Sequence, residues 1–176
     1  LDELKIANDT IVVYFCDNGP NGRRWNGEMK GQKGSTDEGG VRSPLLIRWP
    51  SNIPKGNIVS NNGAAIDLLP TLAGLADIKP ATYAPLDGVD LSNLLLQRQL
   101  PSRKADVMRT IFSHWRGKVS ARYQHYRLDH RGKLYDTSED PSQLTDISES
   151  KATLANRLRG EVIAWRKDVI DGHDND

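Results

Sequence analysis

The sequence predicts an α/β unit followed by a small α+β unit. Three observations carry that prediction. The apolar run Ile11-Val12-Val13-Tyr14-Phe15-Cys16 stops abruptly on Asp17-Asn18-Gly19-Pro20, as a buried strand does at its carboxyl end. Leu68, Leu69, Leu72, Leu75 and Ala76 recur at helical spacing. Beyond about residue 100 the pattern changes to short alternating segments broken by glycine turns, closed by a helical stripe of Leu154, Leu158, Val162, Trp165 and Val169.

Taken in order, residues 1–6 read as the end of a helix, and Asn8-Asp9 turns the chain into a strand over 10–16. Its contiguous, early β-branched residues have the look of a strand covered on both faces, as in a parallel sheet between helix layers. Residues 17–43 hold seven glycines, a loop long enough to suggest function or disorder. Residues 44–49 form a second short strand, stopped by Pro50, and 51–62 are turn-rich. Asp67 is placed to cap a helix running to about residue 77, with Pro70 in its tolerant first turn. Residues 86–90 make a turn and 91–97 a short amphipathic helix. Strands are expected at 110–115, 119–123, 125–128 and 134–135, with turns at Arg116-Gly117 and His130-Arg131-Gly132. The boundary between the units is placed at about 104, giving 1–104 and 105–176.

The bulk numbers narrow the function. With 176 residues, 37% hydrophobic and 27% charged, the chain holds one globular domain or one and a fraction. A net charge of +1 provides no global field for nucleic acid. No apolar run approaches the roughly 20 residues of a membrane helix. No basic segment followed by an apolar one opens the chain, so no signal peptide is visible, and the compartment is left open. A single cysteine, Cys16, excludes an internal disulfide; it reads as a buried strand cysteine acting as a small hydrophobe.

The chemistry concentrates in residues 17–43. Asp-Asn-Gly is good turn chemistry, but no second strand follows directly, so a hairpin is not completed. In open α/β sheets ligands bind beyond the strands' carboxyl ends. There, the carboxylate of Asp17 and the amide oxygen of Asn18 are hard ligands that suit Ca²⁺ or Mg²⁺. Lys33 lies among glycines. It is either a solvated loop lysine or an ammonium aimed at an oxyanion, with Lys30 as a rival. The order of a P-loop is absent. Glu38 and Arg42 flank Gly39-Gly40, either as acid and cation of a site or as an ion pair pinning the loop. His114-Trp115 reads as a core aromatic beside a partly exposed histidine, or as a sugar-binding edge. Arg23, Arg24 and Trp25 offer a similar edge. Arg122, Tyr123, His125, Tyr126 and Arg127 read as the two faces of a strand rather than a nucleic-acid surface.

These segments, taken together, resemble the arylsulfatase family of formylglycine-dependent sulfatases. The resemblance rests on Cys16-Asp17-Asn18-Gly19-Pro20, Lys33-Gly34-Ser35-Thr36-Asp37-Glu38-Gly39-Gly40-Val41-Arg42-Ser43-Pro44, and Trp49-Pro50. Asp67-Leu68-Leu69-Pro70-Thr71-Leu72, Leu86-Asp87-Gly88-Val89-Asp90-Leu91, and Leu134-Tyr135-Asp136 before Asp140-Pro141 follow in the same order. The resemblance implies the carboxyl-terminal part of an alkaline-phosphatase-like α/β sandwich, then a small antiparallel sheet with a terminal helix. It also implies a bound Ca²⁺, with Asp17 and Asn18 as two ligands. Lys33 becomes the catalytic cation on the sulfate oxygens, preferred over Lys30 by its spacing to Glu38-Gly39-Gly40. Beside what the resemblance implies, Arg23, Trp25 and His114 are read from the residues themselves as expected substrate contacts. The implied substrate is a sulfate ester, with a sulfated sugar as one form, and the implied parent is periplasmic or secreted.

Two departures limit that reading. The family's nucleophile, a formylglycine made from the cysteine of Cys-x-Pro-Ser-Arg, has no counterpart. Leu100-Pro101-Ser102-Arg103 carries the motif's tail, but Gln99 holds the cysteine position and the segment falls at the wrong end of the family order. The remaining metal carboxylates and catalytic histidines would lie upstream. The chain alone is therefore expected to be inactive, to bind Ca²⁺ weakly and to self-associate through an incomplete sheet. Two alternatives remain open: a phosphate or phosphonate ester hydrolase of the same superfold, and a non-catalytic glycan-binding pseudo-enzyme.

Overall fold

The computed structural model describes residues 1–22, 24–79, 85–97 and 108–172. Its regular elements are β1 (Val12–Phe15), α1 (Glu38–Val41), β2 (Leu45–Arg48), α2 (Leu68–Leu75), α3 (Ser92–Leu95), β3 (Thr110–Trp115), β4 (Lys118–Tyr123), β5 (Tyr126–Leu128), β6 (Leu134–Asp136) and α4 (Ala152–Trp165). The contacts divide the chain into two units that are discontinuous in sequence. One comprises Leu1–Cys16 and Pro44–Arg109, the other Asp17–Ser43 and Thr110–Asp176. The glycine-rich loop thus packs with the carboxyl-terminal sheet, although the strands β1 and β2 that flank it belong to the first unit. The expected boundary at 104 lies outside the described residues, as does the Gln99–Arg103 stretch.

In the first unit β1 pairs with β2 antiparallel, Val12 opposite Arg48 and Phe15 opposite Leu45. The expectation of a parallel strand covered on both faces is corrected in pairing direction. Contiguous apolar residues report burial in a layered sheet but not the direction of the neighbour. Nor are the faces covered among the described residues: Tyr14, Phe15, Leu45 and Leu46 are all exposed. Residues 1–6 are turns, not a helix end, and a short 3₁₀ turn (Ala7–Asp9) precedes β1.

The helix expected after Asp67 is present, but Asp67 does not cap it. Its carboxylate is buried, accepts from the backbone N–H of Ala64 (2.7 Å) and Val89 (2.9 Å), and pairs with Arg109. Thr71 in α2 also takes the Leu91 N–H (3.0 Å). Two side chains of the helix start therefore hold the 86–91 turn. That long-range use outcompetes a local cap, because a buried carboxylate needs several donors.

The second unit is the meander the turns predict, with strand order β3-β4-β5-β6 and every pair antiparallel. Arg116 and Gly117 both have positive φ, 48° and 76°, as a two-residue hairpin turn requires. Helix α4 lies on this sheet. Leu158 and Ala155 are fully buried against Ala121, Leu128 and Leu134, with Leu154 and Val162 beside them. Trp165 stacks on Phe112 at 5.3 Å between ring centroids. The chain then continues as one π-helical turn (Arg166–Ile170).

Candidate functional site

The loop of residues 17–43 is folded by its own backbone. Gly19 donates to the Gly40 carbonyl (2.9 Å), Lys33 to that of Pro20 (3.0 Å), and Gly39 to that of Lys30 (2.7 Å). These bonds tie the Asp17-Asn18-Gly19-Pro20 turn to the segment that bears Lys33. The close approach needs glycine: a Cβ on Gly19 would overlap the Gly39 carbonyl, and one on Gly39 would lie 2.7 Å from the carbonyl oxygens of Gly31 and Met29.

Asp17 is exposed and Asn18 half-buried. Neither side chain has a hydrogen bond or ion pair to a described residue, and neither does the exposed Lys33. The rival Lys30 is engaged, 3.6 Å from the Asp37 carboxylate and 5.4 Å from the centre of the Tyr135 ring. Geometry thus separates two lysines that sequence left as competitors. The oxygens of Asp17 and Asn18 have the right chemistry for Ca²⁺ or Mg²⁺, but two side chains fall short of the 6–8 oxygens Ca²⁺ takes. Among the described residues no group of three or more His, Cys, Asp or Glu side chains converges. The pair fits as part of such a site, not as the whole.

A buried ion-pair cluster that no local sequence pattern ties to this loop supports it. Glu38, in the one-turn helix α1, is 2% exposed. Its carboxylate accepts from Arg127 Nε (2.7 Å) and Arg122 Nη1 (2.5 Å), while Arg42 stands 3.5 Å away with its side chain largely exposed. The anticipated Glu38–Arg42 pair exists, but it is the weakest of the three. Burial pushes the Glu38 carboxyl up; Arg127 and Arg122 outweigh that and hold it below the usual range. Arg127 also donates to the Thr36 carbonyl (3.2 Å), which the Ser120 hydroxyl reaches at 2.7 Å. From the turn after β6, Gln143 Oε1 accepts the Glu38 N–H (2.9 Å), the Pro141 carbonyl accepts the Lys30 N–H (3.0 Å), and the Ser142 hydroxyl donates to the Glu28 carbonyl (2.7 Å). A faint sequence signal existed: Arg122 and Arg127 are equidistant from the Gln124-His125 turn, hence cross-strand partners.

The proposed substrate contacts are not assembled into one surface by any described contact. Trp25 is 90% exposed, and Arg23 lies outside the described residues. An open cavity of about 420 Å³ is lined by Gly22, Arg24, Asn26, Met29, Gly31 and Gln32. His114 is exposed and its Nε2 accepts the Gly117 N–H (3.0 Å). Trp115 is 47% exposed, which corrects its reading as a core aromatic; it lies on the opposite face of β3 from Phe112, which Trp165 covers. A Cβ on Gly34 would stand 3.7 Å from Trp115 Nε1, so this indole borders the residue after Lys33. Cys16 lies half-buried just past the end of β1 rather than in a strand core.

Known proteins resemble this chain in sequence and in fold. The sulfatase family model matches residues 1–78. Human arylsulfatase A is 32% identical over 182 residues, covering 91% of this chain and 36% of its own length. Rat steryl-sulfatase is 42% identical over 106 residues, covering 54% of this chain and 18% of its own. The crystal structure of Ps i-CgsB superposes with a TM-score of 0.79 at 28% identity, covering 94% of this chain and 38% of that one; it has also been solved in complex with a neocarrahexaose. The chain belongs to the sulfatase family. It spans a little over a third of the length of arylsulfatase A.

Proposed function

We propose that this chain is the carboxyl-terminal part of a sulfatase, and that its second unit supplies one half of the sulfate site. The observation that carries the reading is the disposition of Asp17, Asn18 and Lys33. Their backbones are bound together through Pro20, Gly19 and Gly40, while their side chains have no partner among the described residues. Polar side chains held in place without a partner are available to a ligand. The exposed apolar side chains of β1 and β2 support the further reading that more sheet belongs beside them.

In this reading Asp17 and Asn18 contribute two oxygens to a Ca²⁺ site completed by other parts of the protein. A bound Ca²⁺ supplies Lewis-acid polarisation and charge neutralisation at the sulfate oxygens. Lys33 places its ammonium against the same oxygens and offsets the negative charge that redistributes as the ester bond breaks. The nucleophile, a formylglycine, and the acid that protonates the leaving alcohol belong to the remainder of the protein. Trp25 and His114, both exposed, and Arg23 are assigned to the leaving-group side. A sulfated sugar is the substrate class best supported, since a relative of 28% identity is known with a carrageenan oligosaccharide bound.

The test is turnover by the full-length protein on matched sulfate and phosphate esters, before and after chelation. Sulfate ester hydrolysis that falls on chelation and returns with Ca²⁺ supports the reading. Preferential phosphate ester hydrolysis, or no hydrolysis with intact glycan binding, would overturn it.

A further inference from the structure

We propose that Glu38 is a positioning residue, which sets Lys33 and the Asp17-Asn18 turn through the cross-strand pair Arg122 and Arg127. This inference rests on the assignment of Lys33 above. Its starting point is a local conflict in the sheet. Arg122 on β4 is directly opposite Arg127 on β5, and like charges in that register repel. Both side chains are also largely buried, 12% and 4% exposed. Two adjacent buried cations require an anion. The sheet does not provide it; the loop does. Glu38 enters between them and takes a hydrogen bond from each, 2.5 and 2.7 Å long.

What Glu38 holds is the junction of both arms of the site. The next residue, Gly39, donates to the Lys30 carbonyl, three residues before Lys33. Gly40 accepts from Gly19, the neighbour of Asn18. Arg127 grips the Thr36 carbonyl as well as the carboxylate, so the loop is clamped at α1's first residue and two residues before it. A shift of the carboxylate therefore moves both arms together. Glu38 shares its single negative charge between the two arginines, and Lys33, on the same loop, has no ion-pair partner among the described residues.

The test is a double-mutant cycle on kcat/KM in the full-length protein, with circular dichroism confirming the fold of each variant. Glu38→Gln should lower kcat/KM on the order of 10- to 10²-fold, the scale of a displaced catalytic group. In a Lys33→Ala background the same substitution should cost at least about threefold less, because only the Asp17-Asn18 turn is then left to position. Arg122→Gln should behave alike, and it carries the test if Glu38→Gln does not fold. Equal losses in both backgrounds would reduce Glu38 to general stability and overturn this inference alone. So would an undiminished Glu38→Gln enzyme in which Lys33→Ala is impaired. A fully active Lys33→Ala enzyme would instead overturn the site assignment itself, and this inference with it.

Discussion

Replacing Glu38 by alanine should release the loop from the sheet, and the size of the effect follows from burial. The substitution strands two cations whose side chains are 12% and 4% exposed. Removing one partner of a buried ion pair costs about 3–5 kcal/mol, mostly the penalty of the charge left behind. Arg42 adds little, since its side chain is 61% exposed and water screens the 3.5 Å contact. Native-state hydrogen exchange reads the loss locally, without assuming two-state unfolding of a longer protein. The amides to follow are those of Gly39, Gly40 and Arg42, bonded to the carbonyls of Lys30, Asp37 and Glu38. At about 1.4 kcal/mol per decade, their protection should fall on the order of 10²- to 10³-fold. Arg42→Ala, the control, should change it less than about fivefold. The pH dependence gives a second arm. Burial raises the Glu38 pKa and the arginines lower it further, so the folded value lies below the unfolded one. The stabilisation is then complete above the ordinary glutamate pKa and is lost only as pH falls through the lower, folded value. Protection that changes less than threefold in Glu38→Ala, or that already declines between pH 7 and pH 5, would refute the argument.

Other consequences can be checked on the same protein. Leu158→Ala, at a fully buried contact between α4 and the sheet, should cost about 2–5 kcal/mol in denaturant titration; a loss under 1 kcal/mol would mean α4 is not seated as described. Gly19→Ala should cost about 1–3 kcal/mol and loosen the Gly40 bond, because its Cβ meets a backbone carbonyl that cannot turn away; unchanged exchange at Gly19 and Gly39 would contradict this. Tyr135 should titrate at about 12, raised by burial and the Asp129 carboxylate. Its folded pKa exceeds the unfolded value, so it contributes stability below about pH 10 that is lost as pH rises towards 12; a phenolate absorbance appearing in full at pH 10 would sink that claim.

The legibility of the sequence varied with the range of the interactions. The carboxyl-terminal meander was readable because its period and its Arg116-Gly117 turn are local properties. Helix α4 was readable for the same reason, its stripe of Leu154, Leu158 and Val162 meeting the sheet as spaced. The direction of β1 was not, because pairing depends on a neighbour thirty or more residues away. Asp67 looked like a cap from its position before the leucines, yet long-range donors at Val89 and Arg109 claimed its carboxylate. Within the candidate site, Asp17, Asn18 and Lys33 were visible as residue types in a glycine setting. Their anchor was not: Glu38 meets Arg122 and Arg127 across 84 and 89 residues, a separation no local pattern encodes. Trp115 is not a core aromatic because strand alternation sets it on the opposite face of β3 from Phe112, whose face Trp165 of α4 covers.

The central claim is that Lys33, and not Lys30, is the cation of a sulfate site. Lys30 already has Asp37 and the Tyr135 ring as partners, whereas Lys33 has no ion-pair partner among the described residues. Steady-state kinetics of Lys33→Ala and Lys30→Ala in the full-length protein compare them directly. Loss of one preorganised group that stabilises transition-state charge costs on the order of 10²-fold or more, and the loss should appear in kcat as well as kcat/KM. The account predicts that loss for Lys33→Ala and a much smaller one for Lys30→Ala. Near-normal turnover in Lys33→Ala, or a larger loss in Lys30→Ala, would contradict it.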